Sequence, residues 1–83
     1  MDSALTQALA AFSEGTHRKH WYGKTYADFW RWFSEEEKRL TNVAKPKDLG
    51  ELRLAFFEIT ADCDDAGFAV PDERADEVIQ PPE

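Results

Sequence analysis

Thr25-Tyr26-Ala27-Asp28-Phe29-Trp30-Arg31-Trp32-Phe33-Ser34-Glu35-Glu36-Glu37-Lys38-Arg39-Leu40 is the stretch that decides the fold. Thr25 followed three residues later by Asp28 has the form of a capping box, with Asp in place of the usual Glu, so a helix is predicted to open at Tyr26. Tyr26, Phe29, Trp30, Phe33 and Leu40 then recur at helical spacing along one face, and Trp30 and Phe33 flank its centre as expected core anchors. On the solvent side Glu35 stands in favourable register with Lys38 (i, i+3) and Arg39 (i, i+4). The spacing predicts a helix over residues 26–40. Trp32 falls about 100° from the centre of the stripe, so it is either an edge of the core or a residue aimed at a partner.

Upstream, Leu5, Ala8, Leu9 and Phe12 repeat at the same period, with Asp2 or Ser3 as N-cap and Gly15 as the stop, which predicts a first helix over residues 3–14. Between the two lies Thr16-His17-Arg18-Lys19-His20-Trp21-Tyr22-Gly23-Lys24, a basic and aromatic connection without an acid. Such a mixture resembles a nucleic-acid contact, but it is short, and it is better read as Trp21 entering the core with Arg18, Lys19 and Lys24 offered to carboxylates. His17 and His20 have the spacing of two metal ligands on a helix. Two ligands are too few, and Cys63 on an apolar stripe reads as a small core residue, so no metal is expected.

Downstream, residues 41–47 form a linker ending near Pro46, and Asp48 with Glu51 repeats the capping signature. A third helix is predicted over residues 49–65, antiparallel to the second, with a main stripe of Leu49, Leu52, Phe56, Ile59 and Cys63. Leu54 and Phe57 project from another side. They are surplus to one small core, and self-association as a homodimer is the expected use of them. Beyond Gly67, Pro71 can start a short helix in which Ala75, Val78 and Ile79 give a weak apolar face, and Gln80-Pro81-Pro82-Glu83 reads as a frayed end. The fold class is all-α: a small three-helix bundle over residues 1–70, with residues 71–83 as an acidic C-terminal tail or short fourth helix.

Asp62-Cys63-Asp64-Asp65-Ala66-Gly67-Phe68-Ala69-Val70-Pro71-Asp72-Glu73 resembles the calcium loop of the EF-hand family. Asp62 matches the first ligand position, Asp64 the third, Gly67 the turn at the sixth and Glu73 the bidentate twelfth. The resemblance fails at Ala66 and Val70, which carry no side-chain oxygen where ligands belong, and at Ala61, where an aromatic residue usually precedes the loop. A glycine-terminated helix followed by a solvated acidic turn is the favoured reading of these residues, and a single calcium module is the third choice of function.

Charge is unevenly distributed. Residues 1–60 hold nine acids and nine bases, whereas residues 61–83 hold eight acids (Asp62, Asp64, Asp65, Asp72, Glu73, Asp76, Glu77, Glu83) against Arg74, which accounts for the whole net charge of −7. A neutral helical body with an acidic tail is the layout of a binding module. No nucleophile elbow, glycine-rich phosphate loop or paired-carboxylate motif points to an enzyme, and no cofactor is implied. The lone Cys63, the lack of a long apolar run and the polar start predict a soluble cytoplasmic protein.

The leading expectation is a non-enzymatic protein that binds and regulates a larger protein partner, the type of adaptor or inhibitor that mobile elements carry. Its expected contact residues are Trp32, Glu35, Glu36, Leu54, Phe57, Asp72, Glu73, Asp76 and Glu77. The alternative is a nucleic-acid mimic whose carboxylates occupy a basic groove on a DNA- or RNA-handling protein; direct nucleic-acid binding is disfavoured by the acidity.

Overall fold

The computed structural model describes residues 1–82; Glu83, counted above with the tail acids and the frayed end, lies outside the described residues. Three helices form, α1 (Ser3–Gly15), α2 (Tyr26–Val43) and α3 (Leu49–Asp65), with single 3₁₀ turns at Arg18–His20, Pro46–Asp48 and Asp72–Arg74. Among the described residues there is no strand, only an isolated antiparallel bridge between Thr25 and Val78. The all-α bundle expected from the periodicity is the fold. No helix among these residues is long and apolar enough to cross a membrane.

Caps explain three of the six helix ends. Asp2 accepts from the Leu5 amide at 2.8 Å and opens α1. At α2 both halves of the capping box are made: the Asp28 amide donates to the Thr25 hydroxyl at 3.1 Å, and the Thr25 amide donates to the Asp28 carboxylate at 3.3 Å. α2 runs three residues past Leu40, because nothing in Thr41-Asn42-Val43 breaks a helix and Pro46 constrains only the backbone just before it. α3 ends in a Schellman motif. The Phe68 amide reaches the Cys63 carbonyl at 3.0 Å and the Gly67 amide the Asp64 carbonyl at 3.1 Å, with Gly67 at φ +87°.

Two local expectations are overturned. Asp48 makes no capping bond to α3, because as the last residue of the 3₁₀ turn its backbone is already helical. The side chain is buried, 3.5 Å from the Met1 amine. Gly15 is not the stop beyond α1 but its last residue, and Thr16 is the C-cap. A Cβ at Gly15 would stand 2.8 Å from the Trp32 ring, so glycine is there to let α2 approach.

The core is aromatic. Phe29, completely buried, stacks on Phe68 with ring centroids 3.8 Å apart and meets Trp21 and Trp30 edge-on at 5.1 and 4.9 Å. Phe12 brings α1 onto Phe33 at 4.8 Å and onto Phe56 of α3 at 5.9 Å. Phe33 is the core anchor that was expected; Trp30 is only half-buried and lies at the rim, where its indole N–H donates to the Phe68 carbonyl at 2.9 Å.

The C-terminal stretch is neither a solvated tail nor a fourth helix, and it contributes to the core. Phe68 and Ile79 are both completely buried. The chain returns antiparallel to residues 23–27: Ile79 donates to the Lys24 carbonyl at 2.7 Å and accepts from the Gly23 amide at 3.0 Å. It also completes α2. The Ala27 amide donates to the Ala75 carbonyl at 2.8 Å and the Tyr26 amide to the Glu77 carbonyl at 3.3 Å, which satisfies two amides that a helix start leaves without an internal partner. In place of a fourth helix there is one 3₁₀ turn and an extended run.

The first turn of α2 yields a pH prediction. Hydrogen bonds from the Thr25 backbone and hydroxyl hold the Asp28 carboxyl below its ordinary value. A depressed carboxyl contributes stability above its unfolded value and loses it as the pH falls through its folded value. Glu14, held down first by its hydrogen bond to His20, and Glu77, held down by Arg74, act in the same direction, while burial raises Glu37 and opposes them. Melting temperature should therefore fall on acidification, and less steeply in Asp28→Asn. Thr25→Ala should cost about 1 kcal/mol at neutral pH by denaturant melting; an unchanged midpoint would remove the cap from the account.

Candidate functional site

α3 buries Leu52, Phe56, Ile59 and Cys63 against the other helices, which leaves its opposite side to solvent. Leu54 is 61% and Phe57 73% exposed, one helical turn apart, and the C-terminal segment does not cover them. They are the exposed large apolar side chains of α3. Glu51, Arg53, Glu58, Ala61, Asp64 and Asp65 surround them, all exposed. Together they make a small apolar strip rimmed by charge.

The other expected contact residues are distributed differently. Trp32 is half-buried, with its ring 5.4 Å from Phe12, 5.2 Å from Trp21 and 6.0 Å from Phe29, so the seam between α1 and α2 occupies it. Glu35 is exposed and Glu36 half-buried. Arg39 pairs with Glu36 rather than with Glu35, and that bond raises the guanidinium's proton affinity. Asp72, Glu73, Asp76 and Glu77 are exposed beside the start of α2, with Glu77 bound by Arg74 through two contacts of 3.0 and 3.2 Å. Leu54 and Phe57 thus form one surface and the tail acids another, and no hydrogen bond or ion pair among the described residues joins them.

The basic connection is largely absorbed by the fold. Trp21 is buried and donates to the Gly15 carbonyl at 2.8 Å, so its ring is not free to stack on a base. Glu14 faces His20 at 3.5 Å, His17 at 3.6 Å and Lys19 at 3.8 Å. Arg18 donates to the Ala66 carbonyl at 3.0 Å and lies 5.4 Å over the Phe68 ring, closing the end of α3. A cleft of about 410 Å³ opens between these elements, lined among others by Thr16, Arg18, Lys19, Tyr22, Asp62 and Cys63; the sequence contained no signal for it, because it joins residues more than forty positions apart. Cys63 is buried beneath it, and desolvation pushes its thiol up to about 11, against the pull of a hydrogen bond with Thr16. At neutral pH it is a protonated core group and a poor nucleophile.

The acidic stretch does not take the shape of a calcium loop. Asp62, Asp64 and Asp65 belong to α3, whose backbone sends successive side chains in different directions, and the chain turns only at Gly67. Among the described residues no three His, Cys, Asp or Glu side chains converge on a common point. Comparison with family models, curated proteins and solved structures found no match to the chain.

Proposed function

We propose that this is a non-enzymatic protein that binds and regulates a larger protein partner, with the outer face of α3 as its principal contact. The observation that carries this reading is the exposure of Leu54 and Phe57 on a helix whose other side already completes the core. Burying two such side chains contributes roughly 1.5 to 3 kcal/mol each, enough to keep a contact once charge has brought the surfaces together. The tail acids, exposed at the far end of the sequence, supply long-range attraction to a basic partner. An unpaired cysteine in the core supports a reducing compartment, and we place the protein in the cytoplasm.

Phe57→Glu tests the reading. The side chain is exposed, so the variant should fold and melt like the wild type while losing the partner captured from source-cell extract and named by mass spectrometry. Val43→Glu, at an exposed residue of α2, should still capture it. Capture unaffected by Phe57→Glu would sink the assignment of the face. Asp72→Asn with Asp76→Asn should slow association and flatten its salt dependence without lowering the melting temperature. Binding that collapses as salt rises yet ignores Phe57→Glu would instead favour the nucleic-acid mimic.

A further inference from the structure

The charges on the outer face of α3 keep register with its apolar residues. Gly50, Leu54, Phe57 and Ala61 follow at steps of four, three and four, which is the a/d spacing of a heptad, and all of them are exposed. Both ends of the strip are small. A Cβ added at Gly50 would meet nothing within 4 Å, so the fold makes no use of that glycine, although glycine weakens a helix. Small residues at the ends let a foreign backbone come close to Leu54 and Phe57.

Along one edge of the strip stand Glu51, Glu58 and Asp65, each seven residues from the next and each exposed. Glu58 and Asp65 make no ion pair among the described residues, and Glu51 only approaches the Met1 amine at 4.0 Å. The opposite edge holds Arg53 and Thr60, and the exposed Asp64 takes the next seam position after Ala61. One edge thus carries three acids over about 21 Å, the length of two heptads of helix, two of them, Glu58 and Asp65, without an ion pair among the described residues.

We propose that this face docks an amphipathic helix of another protein, whose apolar seam covers Leu54 and Phe57 and whose edge sets Lys or Arg against Glu51, Glu58 and Asp65. The proposal rests on the reading of the α3 face as the binding surface and names the partner's chemistry. Charge selects this occupant over a second copy of the chain. Antiparallel copies would bring acid row against acid row; parallel copies would set Asp64 against Asp64, with Arg53 opposite Glu58 the single favourable pairing. One helix face buries little area, so the complex is weak, fast and salt-sensitive.

The test uses the full chain and three synthetic helical peptides of about 21 residues, or three heptads. One has Leu at a and d with Lys at both edges, one has Glu at both edges, and one is a scramble of the Lys peptide. Fluorescence anisotropy at two salt concentrations should show the Lys peptide binding at least about tenfold tighter than the Glu peptide at low salt, with the gap narrowing as salt rises. Amide shifts should map to residues 50–65, and Phe57→Glu should abolish them. Glu58→Lys with Asp65→Lys, both at exposed positions, should reverse the preference. Equal binding of both ordered peptides on α3 would overturn the charge selection while leaving the docking face intact. No shift on α3 with any peptide, or equal binding of the scramble, would overturn the face itself. A doubled mass in light scattering that Phe57→Glu restores to monomer would make a second copy the occupant and overturn the proposal.

Discussion

Truncation after Val70 is expected to lower the melting temperature by at least about 12 °C, the shift that roughly 3 kcal/mol produces in a domain of this size. The cut removes Ile79, which is completely buried, and four main-chain hydrogen bonds to Gly23, Lys24, Tyr26 and Ala27. It also uncovers the start of α2, whose amides the segment satisfies. Two effects run the other way: the segment regains its chain entropy, and the net charge changes from −7 to −3, since five acids and one base leave together. Neither restores the packing around Ile79. Ile79→Ala isolates that packing without touching charge or backbone, and should by itself cost about 2 to 5 kcal/mol. The measurement is a pair of thermal melts beside the wild type. A truncated chain that melts at the wild-type temperature would show the segment to be an appendage, as its charge alone had implied.

Phe29→Ala should be the most damaging single substitution, costing about 3 to 5 kcal/mol. Stability for a domain of this length is on the order of 5 to 10 kcal/mol, so the variant would lose roughly a third of it or more. Phe29 touches rings from three parts of the chain: Phe68 by stacking, Trp21 edge-on from the basic connection, and Trp30 and Phe33 from its own helix at 4.9 and 6.0 Å. Removing it leaves a cavity that these rings cannot all close, because each is held elsewhere; the Trp21 and Trp30 indole N–H groups are bonded to the Gly15 and Phe68 carbonyls. Urea titration followed by tryptophan emission would report the loss directly. Phe29→Leu, which fills much of the space, should recover more than half of it. An alanine variant within 1 kcal/mol of the wild type, a small fraction of what a filled aromatic site should contribute, would displace Phe29 from the centre of the core.

The exposed strip on α3 was partly legible before the fold was known. Leu54 and Phe57 were separable from the rest of their helix because five other apolar residues already made a coherent stripe, and periodicity alone shows which set is the surplus. Trp32 was not separable. Its angle on α2 suits solvent as well as it suits a second helix, and only the approach of Gly15 and Phe12 draws it into the seam between α1 and α2. The acid row of Glu51, Glu58 and Asp65 was present as spacing but carried no meaning until the exposed side of α3 was known.

By itself, the sequence determined the three helices, the capping box at Thr25 and Asp28, the turn at Gly67 and the all-α class. Those features arise from groups a few residues apart, whose geometry is the same in any context. Tertiary structure alone decided which side chains closed the core. Asp48 carried the signature of a cap and became a buried carboxylate, and the acidic tail carried the signature of a solvated end and became the strap that caps α2. For the tail, a weak local preference met a larger non-local gain, apolar area removed from water at Ile79 and main-chain hydrogen bonds to residues about fifty positions away; Asp48 met the Met1 amine at 3.5 Å; nearest-neighbour spacing can register none of these.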